Sequence, residues 1–361
     1  MYTHFTFITS PLDQFEVRNL LSFDAPILGN IRGRGGVCRY KSLTTRGLYT
    51  QATNNGNTSG RGLEPNWVTG FADGEASFHV SIYKCDSYKT KWRVIPSFQI
   101  ELHEKDLGLL NQIQSFFGVG TIRINKKRNS ANYCVQSIKD LTSVIIPHFV
   151  QYPLITQKQA DFLLFKSVVE LMNSKEHLTS EGFNKIVVIK ASMNLGLPKQ
   201  LMESFPGITA VSRPVVEVAE NINPFWLAGF IDAEGCFDVG VVNSNTTKIG
   251  FTVQLRFRIV QHSRDQQLMK SLCESLGCGT LQLDSKNPKV TFVVTKFSDI
   301  ENIILPFFEK FPLEGLKRLD YADFCKIVIL MRNKAHLTEE GLANIREIKA
   351  GMNRNRSHSS S

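Results

Sequence analysis

Hydrophobic and polar positions alternate along Ser77–Tyr83. Phe78, Val80 and Ile82 share one side; Ser77, His79, Ser81 and Tyr83 share the other. A two-residue period of this kind marks a half-buried strand. The alternation returns in Trp92–Leu102, where Arg93, Ser97, Gln99 and Glu101 form the polar side. A helix is predicted over Lys105–Phe117, closed by Gly118. Two more strands are predicted over Val119–Asn125 and Asn132–Ser137, joined by the basic loop Lys126, Lys127 and Arg128. Helices follow over Lys139–Val150, Gln157–Met172 and Ser180–Asn194, the last with Thr179 as its N-cap.

The pattern then starts again. Trp67–Val80 (WVTGFADGEASFHV) recurs 159 residues later as Trp226–Val239 (WLAGFIDAEGCFDV). Between Pro65 and Val80, eight of sixteen positions match their partners, where chance gives about one. The same offset carries Phe98 to Phe257, Asp106 to Asp265, Pro147 to Pro306, Lys158 to Lys317 and Met193-Asn194 to Met352-Asn353. A constant offset with no net insertion predicts two copies of one α-β-β-α-β-β-α unit about a pseudo-twofold axis. The predicted class is α+β, with two four-stranded antiparallel sheets forming a saddle. The predicted division is a leader and linker over 1–62, halves over 63–201 and 222–353, a connecting linker over 202–221 (Met202–Asn221), and a disordered tail over 354–361.

Each copy opens with a helix. Pro65 and Pro224 suit the first helical position, and Asn223 suits the N-cap before the second. Gly70 and Gly74 share one helical face, as do Gly229 and Ala233. Small faces let two helices approach until their backbones nearly touch. Each helix ends in a carboxylate, Glu75 or Glu234, so such a crossing brings two like charges together. A divalent cation is the usual solution. Asp73 and Asp232, two residues earlier, point the other way and read as structural partners of the helix ends.

Val68–Ala76 (VTGFADGEA) and Leu227–Gly235 (LAGFIDAEG) resemble the paired signature motifs of a double-motif LAGLIDADG homing endonuclease. The first copy departs at Thr69 and Ala76. The resemblance spans about residues 64–353 and implies double-strand DNA cleavage by hydrolysis of one phosphodiester per strand. It places the metal-binding acids at Glu75 and Glu234, with Mg²⁺ as the expected ion. It assigns supporting catalytic roles to Lys158, Lys317 and Gln261; Leu102 stands where a mate of Gln261 belongs. On this reading the polar strand faces meet DNA. In the first half these are Ser77, His79, Ser81, Tyr83, Arg93, Ser97, Gln99, Arg123 and Asn125. In the second they are Asp238, Thr252, Gln254, Arg256, Arg258, Gln282 and Asp284. Arg and Gln offer bidentate readout of guanine and adenine, and Asp238 or Asp284 accepts from cytosine. With both motifs in one chain, the resemblance implies a monomer on an asymmetric double-stranded target. RNA maturase activity on a group I host intron is the alternative within the same fold.

Bulk properties narrow the rest. Lys plus Arg total 42 against 33 acids, giving a formal charge of +9 that favours a polyanionic partner. Seven scattered cysteines form no CxxC pair and read as reduced thiols, mostly buried. No apolar run reaches the length of a membrane span. The opening residues lack the acid-poor pattern of an import presequence, since Asp13, Glu16 and Asp24 interrupt it. Ser10–Arg18 (SPLDQFEVR) instead resembles the start of fungal mitochondrial ATP synthase subunit a. An intron reading frame continuous with its exon, translated inside the mitochondrion, accounts for both observations.

Overall fold

The computed structural model describes residues 62–219, 221–353 and 356, all within one unit, Thr58–Ser361. Ser10–Arg18, the polar run Thr53–Arg61 and all of the tail except Arg356 lie outside the described residues.

The first motif helix spans Pro65–Glu75. Pro65 stands at its start, and Glu64, a cap the sequence reading missed, accepts from Trp67 N–H at 2.9 Å. The chain passes directly into β1 (Ala76–Lys84), then β2 (Trp92–His103), a helix over Leu107–Phe117, β3 (Thr121–Asn125) and β4 (Ser130–Val135). The sheet is antiparallel in the order β1-β2-β4-β3. The second half begins with the motif helix Pro224–Glu234, whose N-cap Asn223 accepts from Phe225 and Trp226. Strands β5 (Gly235–Asn243), β6 (Phe251–His262), β7 (Thr280–Leu283) and β8 (Lys289–Val294) follow, in the matching order β5-β6-β8-β7. The two predicted sheets are therefore present, with ends moved by about two residues.

Alternation has the expected cause. Phe78 and Phe98 face inward with Phe149, Phe162 and Phe165, at ring separations of 5.2–5.7 Å. Phe237, Phe257, Phe308, Tyr321 and Phe324 repeat the cluster at the same offset. Burying each such ring contributes about 1.5–3 kcal/mol and holds the helices to one side of each sheet.

The helix predicted over Lys139–Val150 changes winding within itself. Ile138–Asp140 and Ile146–Gln151 are α-helical, but Leu141–Ile145 is π-helical, with Ile146 N–H bonding back to Leu141. The following Pro147 has no N–H to continue an α ladder, and the wider turn accommodates it. Pro306 repeats this after Ile300–Ile304. The helix predicted to reach Asn194 stops at Ala191, and Asn194 adopts a positive φ of 49°.

Residues 202–221 are more than a tether. A short helix, Lys199–Ser204, crosses their predicted start. Further on, Arg213 clasps the buried Asp161 with both terminal nitrogens, at 2.8 and 2.7 Å, and also donates to Ser192 and Gln157 carbonyls. Asp320, the equivalent of Asp161, is clasped by Arg356 at 2.8 and 3.1 Å. The two arginines hold equivalent aspartates, yet they are not separated by the repeat offset.

Candidate active site

The site is built from the contact between the motif helices. A Cβ on Gly70 would lie 1.9 Å from the Trp226 carbonyl oxygen, and one on Gly229 would lie 2.0 Å from that of Trp67. Backbone meets backbone at these two positions, so glycine is obligatory. Further along, a Cβ on Gly74 would sit 2.3 Å from Ala233 Cβ and 3.1 Å from Glu234 Cγ. The crossing therefore delivers the two helix C-termini, with Glu75 and Glu234, to one place.

Both carboxylates have raised pKa values. For Glu75 the cause is burial, then the charge of Glu234, opposed by Lys317 and Lys158. For Glu234 it is burial, opposed by a hydrogen bond from Gln261 and by both lysines. Glu75 itself is exposed and Glu234 half-buried. The pair thus sits at the rim of the helix contact, accessible from one side.

Lys158 and Lys317 are not solvated surface charges. The Lys158 ammonium donates to the carbonyls of Ala72 and Gly74, each at 2.9 Å, and Lys317 donates to those of Ile231 and Ala233 at 3.1 and 2.9 Å. Each lysine caps the C-terminal carbonyls of the motif helix in its own half, where the helix dipole favours a cation. Burial lowers both pKa values.

Asp73 and Asp232 are buried and turned away from the carboxylate pair. Asp73 accepts from Ile155 N–H, from Thr156 N–H and hydroxyl, and from the Trp226 indole across the interface. Among the described residues Asp232 accepts only from Glu314 and Gly315 N–H, both on Oδ2 at 2.7 Å. They position the loops that carry Lys158 and Lys317. Another cross-half contact has Gln157 N–H donating to the buried Asp265 at 2.7 Å. At the pseudo-symmetric place a cavity of about 170 Å³ opens instead, lined by Glu75, Leu102, Asp106, Asp232 and Lys317 among others.

The donor set suits a hard divalent cation. Neither Glu75 nor Glu234 is paired with a lysine ammonium, since both ammoniums are held by carbonyls. Among the described residues no group of three or more His, Cys, Asp or Glu side chains forms a metal cage. Two carboxylates with an open side match an ion that completes its shell with water and substrate oxygens, as Mg²⁺ does.

Most of the predicted strand-face residues line the solvent side of the sheets, with three differences. Ser97 is 1% exposed and lies under Gln99, whose amide donates to it at 2.8 Å, so it supports the face rather than forming it. Asp284 is engaged by its own turn, accepting from Lys286 and Asn287, and is not free for a cytosine. Asp238 is bound by Arg256 and Arg258. Two face residues escaped the sequence reading. Asn132 donates to Gln99 at 3.3 Å, and Cys236 occupies the place of Ser77. The repeat offset alone was enough to find Cys236; Asn132 required the β2–β4 register.

Helix-end carboxylates at a two-helix interface, flanked by twin antiparallel sheets, define a nuclease-like pseudo-dimer. The chain belongs to the LAGLIDADG endonuclease family, which it matches over residues 68–169 and 227–328. Probable intron-encoded endonuclease 3 of Neurospora crassa is 46% identical over 283 residues, covering 77% of this chain and 52% of that protein. This chain thus spans about half the length of that relative. Probable intron-encoded endonuclease 2 of the same organism is 42% identical, covering 81% and 68%. Crystal structures of the meganuclease I-SmaMI superpose with a TM-score of 0.80 at 45% identity, covering 82% of this chain and 99% of that one. I-SmaMI has been solved on uncleaved DNA with calcium ions, on cleaved DNA, and with two lysines replaced by alanine singly and together.

Proposed function

We propose that this chain is a metal-dependent DNA endonuclease that makes a double-strand break at one asymmetric site and so starts homing of the intron encoding it. The observation that carries this is the convergence of Glu75 and Glu234 at the end of a contact no wider than two backbones, between two sheets with polar outer faces. I-SmaMI, solved on cleaved DNA, supports the reaction class.

Glu75 and Glu234 would hold Mg²⁺. When bound there, the ion supplies charge neutralisation at the scissile phosphate and activation of water. The remaining roles belong to the chain itself. Lys158 and Lys317 tie the helix-end carbonyls, which fixes where each carboxylate emerges. Gln261 offers its amide to Glu234 and opposes the rise in its pKa. The two lysines replaced by alanine in I-SmaMI are separated by the same 159 residues as Lys158 and Lys317. The exposed strand positions would read base edges. We infer a mitochondrial setting, in keeping with the intron-encoded fungal relatives.

Glu234→Gln should bind a target duplex as the wild type does and fail to make double-strand breaks in Mg²⁺. Ca²⁺ should allow binding without turnover in the wild type. Wild-type double-strand cleavage by Glu234→Gln would remove the carboxylate pair from the mechanism.

A further inference from the structure

The face of the second sheet carries one arrangement that the first lacks. Asp238 on β5 stands directly opposite Arg256 on β6, and Arg258 lies opposite Cys236, two residues along on the same side. A single oxygen, Asp238 Oδ2, receives both guanidiniums: Arg256 Nη2 at 2.5 Å and Arg258 Nη2 at 3.4 Å. The Nε atoms of both arginines are buried and have no partner among the described residues. Each guanidinium is therefore held at one corner, by the carboxylate, with its Nε packed into the sheet and free of any hydrogen bond among the described residues. Of its five N–H donors, those on Nη1 and the second one on Nη2 have no hydrogen-bond partner among the described residues.

We propose that Asp238 is a positioning residue that holds Arg256 and Arg258 side by side as a double guanine reader. This rests on the reading that the sheet faces meet DNA. Two adjacent cations on bare strands repel and wander among rotamers. A shared carboxylate between them cancels part of that repulsion and orders both forks before DNA arrives. An ordered fork is what bidentate donation to guanine O6 and N7 needs. Residues two apart on a strand are separated by roughly 6.8 Å, about two base-pair rises of 3.4 Å. The two guanines thus fall within a run of about three base pairs. The equivalent places in the first half hold His79, Ser97 and Gln99; Asn132 donates to Gln99 and Gln99 to Ser97, a neutral chain, and no ion pair is formed there among the described residues. The guanine pair belongs to the half-site under β5 and β6 alone.

The test uses the full chain and a library of duplexes varied across the target, with binding profiled in Ca²⁺ and cleavage recorded separately in Mg²⁺. Arg256→Ala and Arg258→Ala should each erase one guanine preference. Asp238→Asn should reduce both, by about tenfold or more, while affinity for non-target DNA holds or rises because a negative charge has gone. In the Arg256→Ala/Arg258→Ala background, Asp238→Asn should change nothing further. Arg256→Lys/Arg258→Lys keeps the charge without the fork, so it should lose the guanine preferences at an unchanged salt slope. The proposal is overturned if Asp238→Asn leaves both guanine preferences intact. It is also overturned if that change alters one base pair only and does so without the arginines, since Asp238 would then read a cytosine itself. Loss of Mg²⁺ cleavage with base preferences intact would count against the proposed catalysis and leave the Asp238 clasp standing.

Discussion

The indole N–H of Trp226 donates to Asp73 Oδ2 at 2.8 Å, whereas that of Trp67, its equivalent, has no partner among the described residues. The two carboxylates differ as well. Asp73 receives donors on both oxygens; among the described residues Asp232 receives them on Oδ2 alone, since Gly315 stands where the first half has the Thr156 hydroxyl. An amide at position 73 must therefore turn its NH₂ against a donor. At 232 it can place its oxygen on the two N–H groups and its NH₂ toward the neighbouring cavity. Asp73→Asn should cost about 2–4 kcal/mol and Asp232→Asn about 1 kcal/mol or less. Urea denaturation of the two variants checks this, and equal losses would contradict it.

The glycines of the helix contact should tolerate nothing larger. Gly229→Ala already places a Cβ against the Trp67 carbonyl, and the cost should be at least about 3 kcal/mol. Gly108→Ala, with nothing within 4 Å of its added Cβ, should be neutral or stabilising by about 0.5–1 kcal/mol. Thermal melts of the two variants should move in opposite directions or differ by several degrees.

His148 should make the first half sensitive to acid. Burial among Phe116, Phe117, Phe149 and Tyr152 lowers its pKa from 6.5 to about 4. The unfolded chain then binds the extra proton between those values. Stability from this source is full above pH 6.5 and is lost as pH falls through about 4, by up to about 3 kcal/mol. Thr69 lies 3.1 Å from the His148 ring. The second half places Ala228 and Phe307 at these two positions. Thr69→Ala/His148→Phe should flatten the dependence of the melting temperature on pH between about 4 and 6.5, and an unchanged slope would clear His148.

The two strands should be cut at unequal rates. Gln261 offers an amide donor to Glu234 and opposes the rise in its pKa; Leu102, beside Glu75, has no donor to offer. One hydrogen bond of this kind corresponds to about tenfold in rate. A supercoiled plasmid target should therefore pass through a nicked form. Leu102→Gln should shorten its lifetime, and Gln261→Leu should slow the faster cut. A wild type that goes straight to linear product would contradict the inequality.

Much of this architecture was legible because duplication wrote it twice. A constant offset reveals two halves, alternation gives the strands, and the paired small residues locate the helix contact. Relationships between halves were not legible. The Trp226–Asp73 bond and the Gln157–Asp265 bond join residues whose pairing no periodicity encodes. Ser97 shows the limit of alternation: it faces the polar side and is still buried, because its longer neighbour Gln99 folds over it. The sequence marks Lys158 and Lys317 as a matched pair, but nothing in it shows the helix-end carbonyls that hold their ammonium groups.

The arginine clasps bear on how the chain can be divided. Arg356 follows the second half directly, but Arg213 lies in the connecting segment, well past the first half's last helix at Ala191. Residues needed to close the first half thus extend into what looks like spacer. If the protein is split into two co-expressed fragments, a break at about residue 205 hands Arg213 to the wrong partner and leaves Asp161 a buried anion. A break between 214 and 219 keeps it with its own half. Reassembly into a working enzyme should follow the second cut and not the first.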